Sequence, residues 1–327
     1  MLSFITFFNN KLWINFLHIC MDYDHKYIKY KTKYLESKNI SEQIGGKKSQ
    51  KLLLVMFPGL GVPKKGWHVY FDDKKERIEH NFIKELKKIG SIYFYEPNYH
   101  NPIFYANDHY KDLYKKNMNF TKADLDIDNI CAKIYDDVKD FDGKIILIGH
   151  SIGSYFVYYF SQKYSKKCLF GVIIDGSPLG PFQQTKNDKK YLYPKIEKYK
   201  SYTDDDIDKL RDKLLKGDKK MIDELLNLSA YNILSHKKTM ENAKKFKIPM
   251  LCFYNFRISL DNNPKKIKIK IANHLNNKRI KEIEHFKKFN ENYKYITFIN
   301  EGHFPFHGEK SRAIIIDNIK LMCEKYN

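Results

Sequence analysis

Apolar residues occur along this chain in short runs of five to seven residues, rich in isoleucine, leucine, valine and aromatic side chains. Runs of this length and composition, bordered by polar residues, predict buried β-strands. The predicted strands are Lys51–Phe57, Ser91–Tyr95, Lys144–Ile148, Phe170–Ile174, Pro249–Tyr254 and Tyr293–Ile299.

Longer segments with apolar residues at helical spacing separate these runs. Strands that alternate with helices favour the α/β class, with a mostly parallel sheet flanked by helices on both faces. A functional site is then expected at the carboxyl ends of the strands. The predicted helices are Lys75–Ile89, Ala123–Phe141, Ser151–Ser165, Lys278–Phe289 and Glu309–Tyr326.

The alternation stops between the fourth and fifth predicted strands. Within that interval Thr203, with the acidic residues after it, predicts the capped start of a helix, and Lys219–Leu228 predicts a second, leucine-rich helix. We expect residues 184–246 to form a helical lid inserted into a main domain that spans residues 51–327. An ordinary helical insertion without a gating role is the alternative.

The segment Gly149–Gly153, with the sequence GHSIG, lies directly after one predicted strand and directly before a predicted helix. A GxSxG between a strand and a helix is typical of a nucleophile elbow, a turn so tight that the serine hydroxyl projects alone. Glycines on either side let the strand and the helix pass closely. Ser151 is therefore the predicted nucleophile.

A serine hydroxyl needs a base that accepts its proton and an acid that orients the base. His303 is the predicted base, because it lies in a glycine-preceded loop after the last predicted strand, whereas His307 is expected to be a surface loop residue. Asp261 is the favoured acid, since it keeps the chain order serine, acid, histidine. Asp175 also follows a strand and is the alternative acid, although the turn after it is typical of a carboxylate that caps backbone amides. Another residue, such as Glu301, also stays open.

The tetrahedral intermediate of acyl transfer needs N–H donors for its oxyanion. The first predicted strand runs into Pro58–Gly61, with the sequence PGLG, and the N–H of Leu60 is one predicted donor. The N–H of Ile152, the residue after the predicted nucleophile, is the other. A plain turn between a strand and a loop is the alternative for the first of these segments.

Over residues 51–326 the chain resembles the α/β-hydrolase superfamily. The resemblance rests on Phe57–Gly61 with Trp67 beyond it, on Gly149–Gly153 and on Gly302–Pro305. It implies a serine hydrolase that acts on an ester or thioester and needs no metal or organic cofactor.

By this resemblance Ser151 is the nucleophile and His303 the base. The chain departs from the family pattern at two places. It has Pro58–Gly59 where histidine and glycine are usual, and it has Asn255 and a delayed Asp261 where a glycine and a nearby aspartate are common.

The chain of 327 residues has 59 basic and 39 acidic residues and a formal charge of +20. Such a charge suggests nucleic acid or an anionic membrane as a partner. However, only five of the basic residues are arginines, and a lysine bias of this kind fits an AT-rich genome and a solvated exterior, so no specific nucleic-acid partner is expected. The run Lys265–Lys270 predicts a lysine-protected edge strand, with a basic patch or localisation signal as the alternative.

Residues 1–50 are predicted to be an N-terminal extension. Asn9–Lys11 interrupt its apolar start, which makes a poor signal peptide or transmembrane helix. Residues 21–50 place tyrosines on one helical face among lysines and resemble N-terminal helices of giant DNA viruses of the mimivirus kind. The expected location is the cytoplasm, or the host cytoplasm or virion for a viral protein, with weak membrane or virion association through this segment as an open alternative.

The five cysteines are widely spaced and form no disulfide framework or paired metal motif, which favours a reducing compartment. The motifs together favour a serine hydrolase for a small-molecule or lipid-like acyl substrate. The alternative is a catalytically inactive, hydrolase-like binding or virion-associated module.

Overall fold

The six apolar runs all form strands of one parallel sheet, as their pattern predicts. The computed structural model also has a short antiparallel pair of strands outside that sheet. The strands are β1 (Leu52–Phe57), β2 (Val69–Phe71), β3 (Arg77–Glu79), β4 (Ser91–Phe94), β5 (Lys144–His150), β6 (Cys168–Ile174), β7 (Met250–Phe256) and β8 (Tyr293–Ile299).

Within the described ranges, α-helices lie between several of the strands and after the last one. The helix predicted at Glu309–Tyr326 is confirmed with the same bounds. The α-helices are α1 (Phe82–Lys87), α2 (Ile127–Val138), α3 (Gly153–Lys163), α4 (Asp204–Leu215), α5 (Lys266–Phe289) and α6 (Glu309–Tyr326).

The structure describes residues 51–59, 64–71, 77–96, 121, 123–176, 203–215, 246–256 and 266–327. The predicted N-terminal extension, residues 1–50, lies outside these ranges. Leu60, Asp261 and the predicted helix Lys219–Leu228 also lie outside them.

The main sheet has the strand order β4-β1-β5-β6-β7-β8, and each neighbouring pair is parallel. Phe170 on β6 contacts Tyr326 of α6, whereas a side chain on its neighbour Gly171 would lie 3.0 Å from Val157 of α3. Successive strand residues point to opposite faces, so α6 and α3 cover opposite faces of the sheet. The predicted class, a mostly parallel sheet flanked by helices, is confirmed.

Helix α3, which begins at the last residue of the GHSIG segment, is buried on all sides. Its residues Tyr155 to Phe160 are all buried, and Phe156 stacks on Phe57 of β1 with ring centroids 5.8 Å apart. A helix that is apolar all round belongs in the interior of a domain. The turn between β5 and α3 is therefore fixed at both ends by the core.

The helix predicted at Lys75–Ile89 is wrong in its first part. Arg77–Glu79 forms strand β3, which pairs with β2 and places Glu79 opposite Val69. Helix α1 begins only at Phe82. The charged residues before Phe82 are compatible with a helix or with a strand. Pairing with β2 favours the strand.

The run Lys265–Lys270 was predicted to form an edge strand, and this prediction is wrong. Helix α5 begins at Lys266 and continues to Phe289, so it is longer than the helix predicted at Lys278–Phe289. The alternation of lysine and isoleucine resembles a strand pattern. Lysine is nevertheless a good helix former, and extending an existing helix is easier than starting one.

Of the predicted lid, residues 184–246, the structure describes Thr203–Leu215 and Phe246. Helix α4 starts as predicted, because the Asp206 N–H donates to Thr203 Oγ1 at 3.3 Å and the Thr203 N–H donates to Asp206 Oδ2 at 2.9 Å. This reciprocal pair is a capping box with aspartate in the third helical position. The role of the segment as a lid stays a prediction.

Candidate active site

The carboxyl ends of β5, β6, β7 and β8 meet at one edge of the sheet because these strands are parallel neighbours. Each strand brings one polar side chain to this edge: Ser151 after β5, Asp175 after β6, Asn255 within the end of β7 and His303 after β8. The edge therefore brings together residues that are up to 152 positions apart in the chain.

Ser151 has a φ of 53°, in the left-handed region that residues with a Cβ rarely adopt. Its N–H donates to the carbonyl of Ile174 at 3.0 Å, which ties the turn to β6. The glycines on either side are required by space, since a Cβ on Gly149 would lie 2.4 Å from the Gly153 carbonyl oxygen, and one on Gly153 would lie 2.3 Å from the Phe57 carbonyl oxygen. The turn at the predicted elbow is therefore strained at Ser151 and crowded at both glycines.

Two hydrogen bonds connect the predicted nucleophile, the predicted base and an aspartate. His303 Nε2 lies 2.8 Å from Ser151 Oγ, and His303 Nδ1 lies 2.7 Å from Asp175 Oδ2. A carboxylate only accepts hydrogen bonds, so Nδ1 carries the proton and donates to Asp175. Nε2 then has a free lone pair that accepts from the serine hydroxyl.

Asp175, the alternative acid of the sequence analysis, makes the contact to His303 Nδ1. The favoured acid Asp261 lies outside the described residues. The sequence pattern after Asp175 predicts a simple capping turn that includes Gly176. In the structure Gly176 packs against the elbow, because a Cβ there would lie 2.6 Å from the Ser151 carbonyl oxygen. The turn after β6 and the elbow after β5 thus fit against each other.

The environment of the Asp175 side chain keeps it ionised. Burial alone would raise its pKa, but the hydrogen bond from His303 and the positive charge of Arg279 lower the pKa below its ordinary value. Asp175 Oδ1 also accepts the backbone N–H of Asn255 at 3.2 Å. Hydrogen bonds and a cation that favour the charged form outweigh the cost of burial here.

His303 lies in a loop that is held at two successive carbonyl groups. The side-chain amide of Asn255 donates to the Gly302 carbonyl at 2.6 Å, and the same side chain accepts the Glu301 N–H at 3.1 Å. His150 Nε2–H donates to the carbonyl of His303 at 2.6 Å. Sequence reasoning missed both supporting residues, although Asn255 directly follows the predicted strand Pro249–Tyr254 and His150 lies inside the GHSIG motif.

His150 is fully buried, and burial is the main cause that lowers its pKa to about 3. Its ring lies among Trp67, Phe304 and Phe306. A neutral imidazole in this apolar cluster suits a structural donor to a carbonyl group. His307, predicted to be a surface loop residue, is instead partly buried, and its Nε2 bonds the carbonyl oxygen of Gly66 at 3.2 Å.

Arg279 of helix α5 is the third supporting residue that the sequence analysis missed. Its Nη2 lies 2.5 Å from Asp175 Oδ1, and its Nη1–H donates to the carbonyl oxygen of Asn255. The Asp175 side chain is fully buried and that of Arg279 is 10% exposed. One signal in the sequence was available, since arginine is rare in this chain and lysine serves nearly everywhere else.

Of the two predicted oxyanion donors, the structure describes Ile152 but not Leu60. Ile152 is the N-cap of α3, at a helix terminus whose first N–H groups have no intrahelical acceptor. Leu60 lies outside the described residues, but Pro58, two residues before it, has its carbonyl oxygen 2.9 Å from the Cβ position of Gly153. The loop after β1 therefore starts beside the elbow.

Within the described ranges, no group of three or more histidine, cysteine, aspartate or glutamate side chains is placed to hold a metal ion. Among the helices that the structure describes, none is both long enough and apolar enough to cross a membrane.

No protein-family model matches the chain, and no curated protein matches it. Solved structures with a similar backbone include a lipase-esterase related protein from Clostridium acetobutylicum, with 17% identity over 85% of this chain and 96% of that one and a TM-score of 0.45. Human thioesterase 2 has 11% identity over 85% and 98%, with a TM-score of 0.43. An alpha/beta hydrolase enzyme from a lagoon-sediment metagenome of Mar Chica, Morocco, has 14% identity over 85% and 96%, with a TM-score of 0.45. Likeness at this level does not assign an activity, which has to come from the geometry of the site.

Proposed function

We propose that this protein is a serine hydrolase of the α/β-hydrolase type that cleaves a carboxylic ester or thioester through an acyl-enzyme. The observation that supports it is the continuous hydrogen-bonded chain from Ser151 Oγ through His303 to Asp175, with distances of 2.8 and 2.7 Å. Proximity of nucleophile, base and orienting acid is the geometric requirement of this mechanism. The strained elbow supports the same function, because strain of this kind collects at reactive sites.

In the proposed reaction, Ser151 Oγ forms a bond to the substrate carbonyl carbon while His303 Nε2 takes the hydroxyl proton. The oxyanion accepts hydrogen bonds from the N–H groups of Ile152 and Leu60. When the tetrahedral intermediate collapses, the bond to the alcohol or thiol breaks, and His303 returns the proton to that leaving group. Water then attacks the carbonyl carbon of the acyl-enzyme while His303 takes a proton from the water. The bond to Ser151 Oγ breaks, His303 returns the proton to Ser151, and the carboxylic acid leaves.

Asp175, not Asp261, is the acid in this proposal. Its oxygen Oδ2 accepts a hydrogen bond from His303 Nδ1–H and holds the ring with Nε2 toward the serine. The carboxylate also stabilises the imidazolium that forms as the proton moves. The substrate we propose is a small-molecule or lipid-like acyl ester, and its acyl length has to be found with a graded series of esters.

A fluorophosphonate probe tests the proposal, because an activated serine displaces fluoride from phosphorus and gains a stable adduct. Intact-mass analysis should find one adduct on the wild type, none on Ser151→Ala, and strongly slowed labelling of His303→Ala and Asp175→Asn. Ser154→Ala is the matched control, since Ser154 is a buried serine in the first turn of α3, three residues after Ser151. It should label as the wild type does.

Asp261→Asn distinguishes the two acids and should label at the wild-type rate. Hydrolysis of p-nitrophenyl esters of increasing acyl length then gives the substrate preference. A folded wild type that neither labels nor hydrolyses any ester would overturn the proposed function and favour a binding module.

A further inference from the structure

We propose that Arg279 is a positioning residue of this site, which ties one oxygen of Asp175 to the end of β7 and so directs the other oxygen at His303. The proposal rests on the proposed function and deepens it. The contacts are Nη2 to Asp175 Oδ1 at 2.5 Å and Nη1–H to the carbonyl oxygen of Asn255. The guanidinium therefore bridges the loop after β6 and the end of β7 from a helix, α5, outside the sheet.

The two carboxylate oxygens of Asp175 have separate partners. Oδ1 accepts from Arg279 and from the backbone N–H of Asn255, the latter at 3.2 Å. Oδ2 faces His303 Nδ1 at 2.7 Å. Two donors on Oδ1 fix the rotation of the carboxylate, because a planar guanidinium presents its N–H groups in a rigid fork. Without Arg279, the Asn255 N–H would be the one remaining donor to Oδ1 among the described residues.

The second effect of Arg279 is electrostatic. The groups that face Asp175 are His303 on its loop, His150 at the end of β5 and Arg279 from α5, and its pKa is lowered by all three although burial raises it. His150 is neutral near pH 7, because burial first of all lowers its pKa to about 3. Glu282, one turn along α5 from Arg279, accepts a hydrogen bond from Tyr254 at 2.7 Å. Arg279 is thus, in the part of the chain that the structure describes, the permanent positive charge in direct contact with the buried carboxylate.

A buried arginine is costly to desolvate, and a purely structural ion pair is often no more stable than apolar residues of similar volume. The positive charge of Arg279, in contact with the carboxylate that faces the proposed base, has a specific effect instead. It opposes uptake of a proton by the Asp175–His303 pair as a unit, so the pair stays in its working state at lower pH.

The experiment compares Arg279→Gln, Arg279→Lys and, as a matched control, Lys294→Gln. Lys294 is a half-buried cation on β8 that donates to Asn318 at 2.7 Å near the opposite end of the strand from the site. Arg279→Gln should move the acidic limb of the pH–kcat/KM profile to higher pH, because it removes a positive charge beside Asp175. Arg279→Lys keeps the positive charge but loses the two-pronged guanidinium. Its acidic limb should therefore stay at the wild-type pH, while kcat falls. The Lys294→Gln limb should stay as in the wild type.

A titration that needs no activity separates failure of this proposal from failure of the proposed function. The ¹³C carboxyl signal of Asp175, identified by its loss in Asp175→Asn, should titrate at higher pH in Arg279→Gln than in the wild type. An unchanged titration in folded Arg279→Gln would overturn the positioning role, whether or not any ester is hydrolysed. If Arg279→Gln does not fold, the double variant with Asp175→Asn should fold, because the unpaired buried carboxylate is gone; a double variant that stays unfolded would also overturn it.

Discussion

His150 donates a hydrogen bond of 2.6 Å from its ring to the backbone carbonyl of His303, 153 positions later in the chain. The residue directly before the proposed nucleophile therefore holds the residue that carries the proposed base. Their rings also lie close, with centroids 4.7 Å apart. The elbow and the base loop are in this way parts of one packed unit.

Replacing His150 with phenylalanine should lower kcat strongly with little loss of stability. Phenylalanine keeps the contacts to Phe304 and Phe306 but cannot hold the His303 carbonyl, and a displacement of the base by about 1 Å costs on the order of 100-fold in rate. The free energy of unfolding should change by less than about 2 kcal/mol, because the substitution also removes His150 Nδ1, a buried atom without a hydrogen-bond partner among the described residues.

Kinetics on the ester found for the wild type and urea denaturation measure these two effects. His307→Phe is the control, since His307 stacks on Phe304 in the same loop but bonds Gly66 and not the base. Its kcat should change much less. Equal losses of kcat in both variants would contradict the role assigned to His150.

Ser151→Gly should be more stable than Ser151→Ala. Both variants lose the hydroxyl and its bond to His303, so their difference reports the backbone alone. The φ of 53° costs a residue with a Cβ about 1–2 kcal/mol, which exceeds the about 0.5–1 kcal/mol by which glycine is usually less stable than alanine. We expect a difference of about 0.5–1 kcal/mol in urea denaturation.

The same pair of substitutions at Ser154, inside α3, provides the control and should give the opposite order. If glycine is the less stable replacement at both positions, the elbow is not strained.

Gly153→Ala should destabilise the protein far more than Gly302→Ala. A Cβ at 153 would lie 2.3 Å from the Phe57 carbonyl oxygen, which is backbone and cannot rotate away, so we expect a loss of about 3 kcal/mol or more. At Gly302 the space is open and only the φ of 75° opposes a side chain, which costs about 1 kcal/mol. Thermal and urea unfolding of both variants measure the difference, and similar losses would show that crowding at the elbow is not the cause.

Stability should fall as the pH is lowered from about 6.5 toward 3. Burial first of all lowers the pKa of His150 to about 3 and that of His307 to about 4. Because these folded values lie below the ordinary 6.5, unfolding takes up protons within this window, and each group lowers the free energy of unfolding by up to about 1.4 kcal/mol per pH unit. Below the folded values the loss is complete.

Urea denaturation of the wild type and His150→Phe at pH 7 and pH 5 tests this dependence. The variant should lose less stability between the two pH values than the wild type does. Identical losses would mean that His150 does not take up a proton on unfolding.

The parallel sheet could be predicted from sequence because buried strands need continuous apolar runs, and Leu52–Phe57 and the Ile145–Ile148 part of β5 are such runs. The hairpin of β2 and β3 could not, since its strands have three residues each and depend on each other. The helical conformation of Lys266–Lys270 was missed because its period-two pattern is local, whereas the helix extends from a neighbouring segment.

At the candidate site, the turn around Ser151 and the loop of His303 could be singled out because short motifs mark them. The acid was harder to choose, because the carboxylate has to lie within hydrogen-bond distance of one ring nitrogen of His303. The order of residues along the chain does not give that distance. Asn255 and Arg279 act through bonds to backbone carbonyls on other elements. Only the packing of α5 and β7 against the loops brings those bonds about.

The two carbonyl bonds on the base loop have a consequence for redesign of this protein. Since Gly302 is held from β7 and His303 from β5, the sheet, and not the loop's own sequence, determines where the imidazole sits. Lengthening this loop, or transplanting it into another scaffold, would misplace the ring unless an asparagine and a histidine came with it on two separate strands. A library of variants of this protein should keep residues 300–304 unchanged and vary other segments.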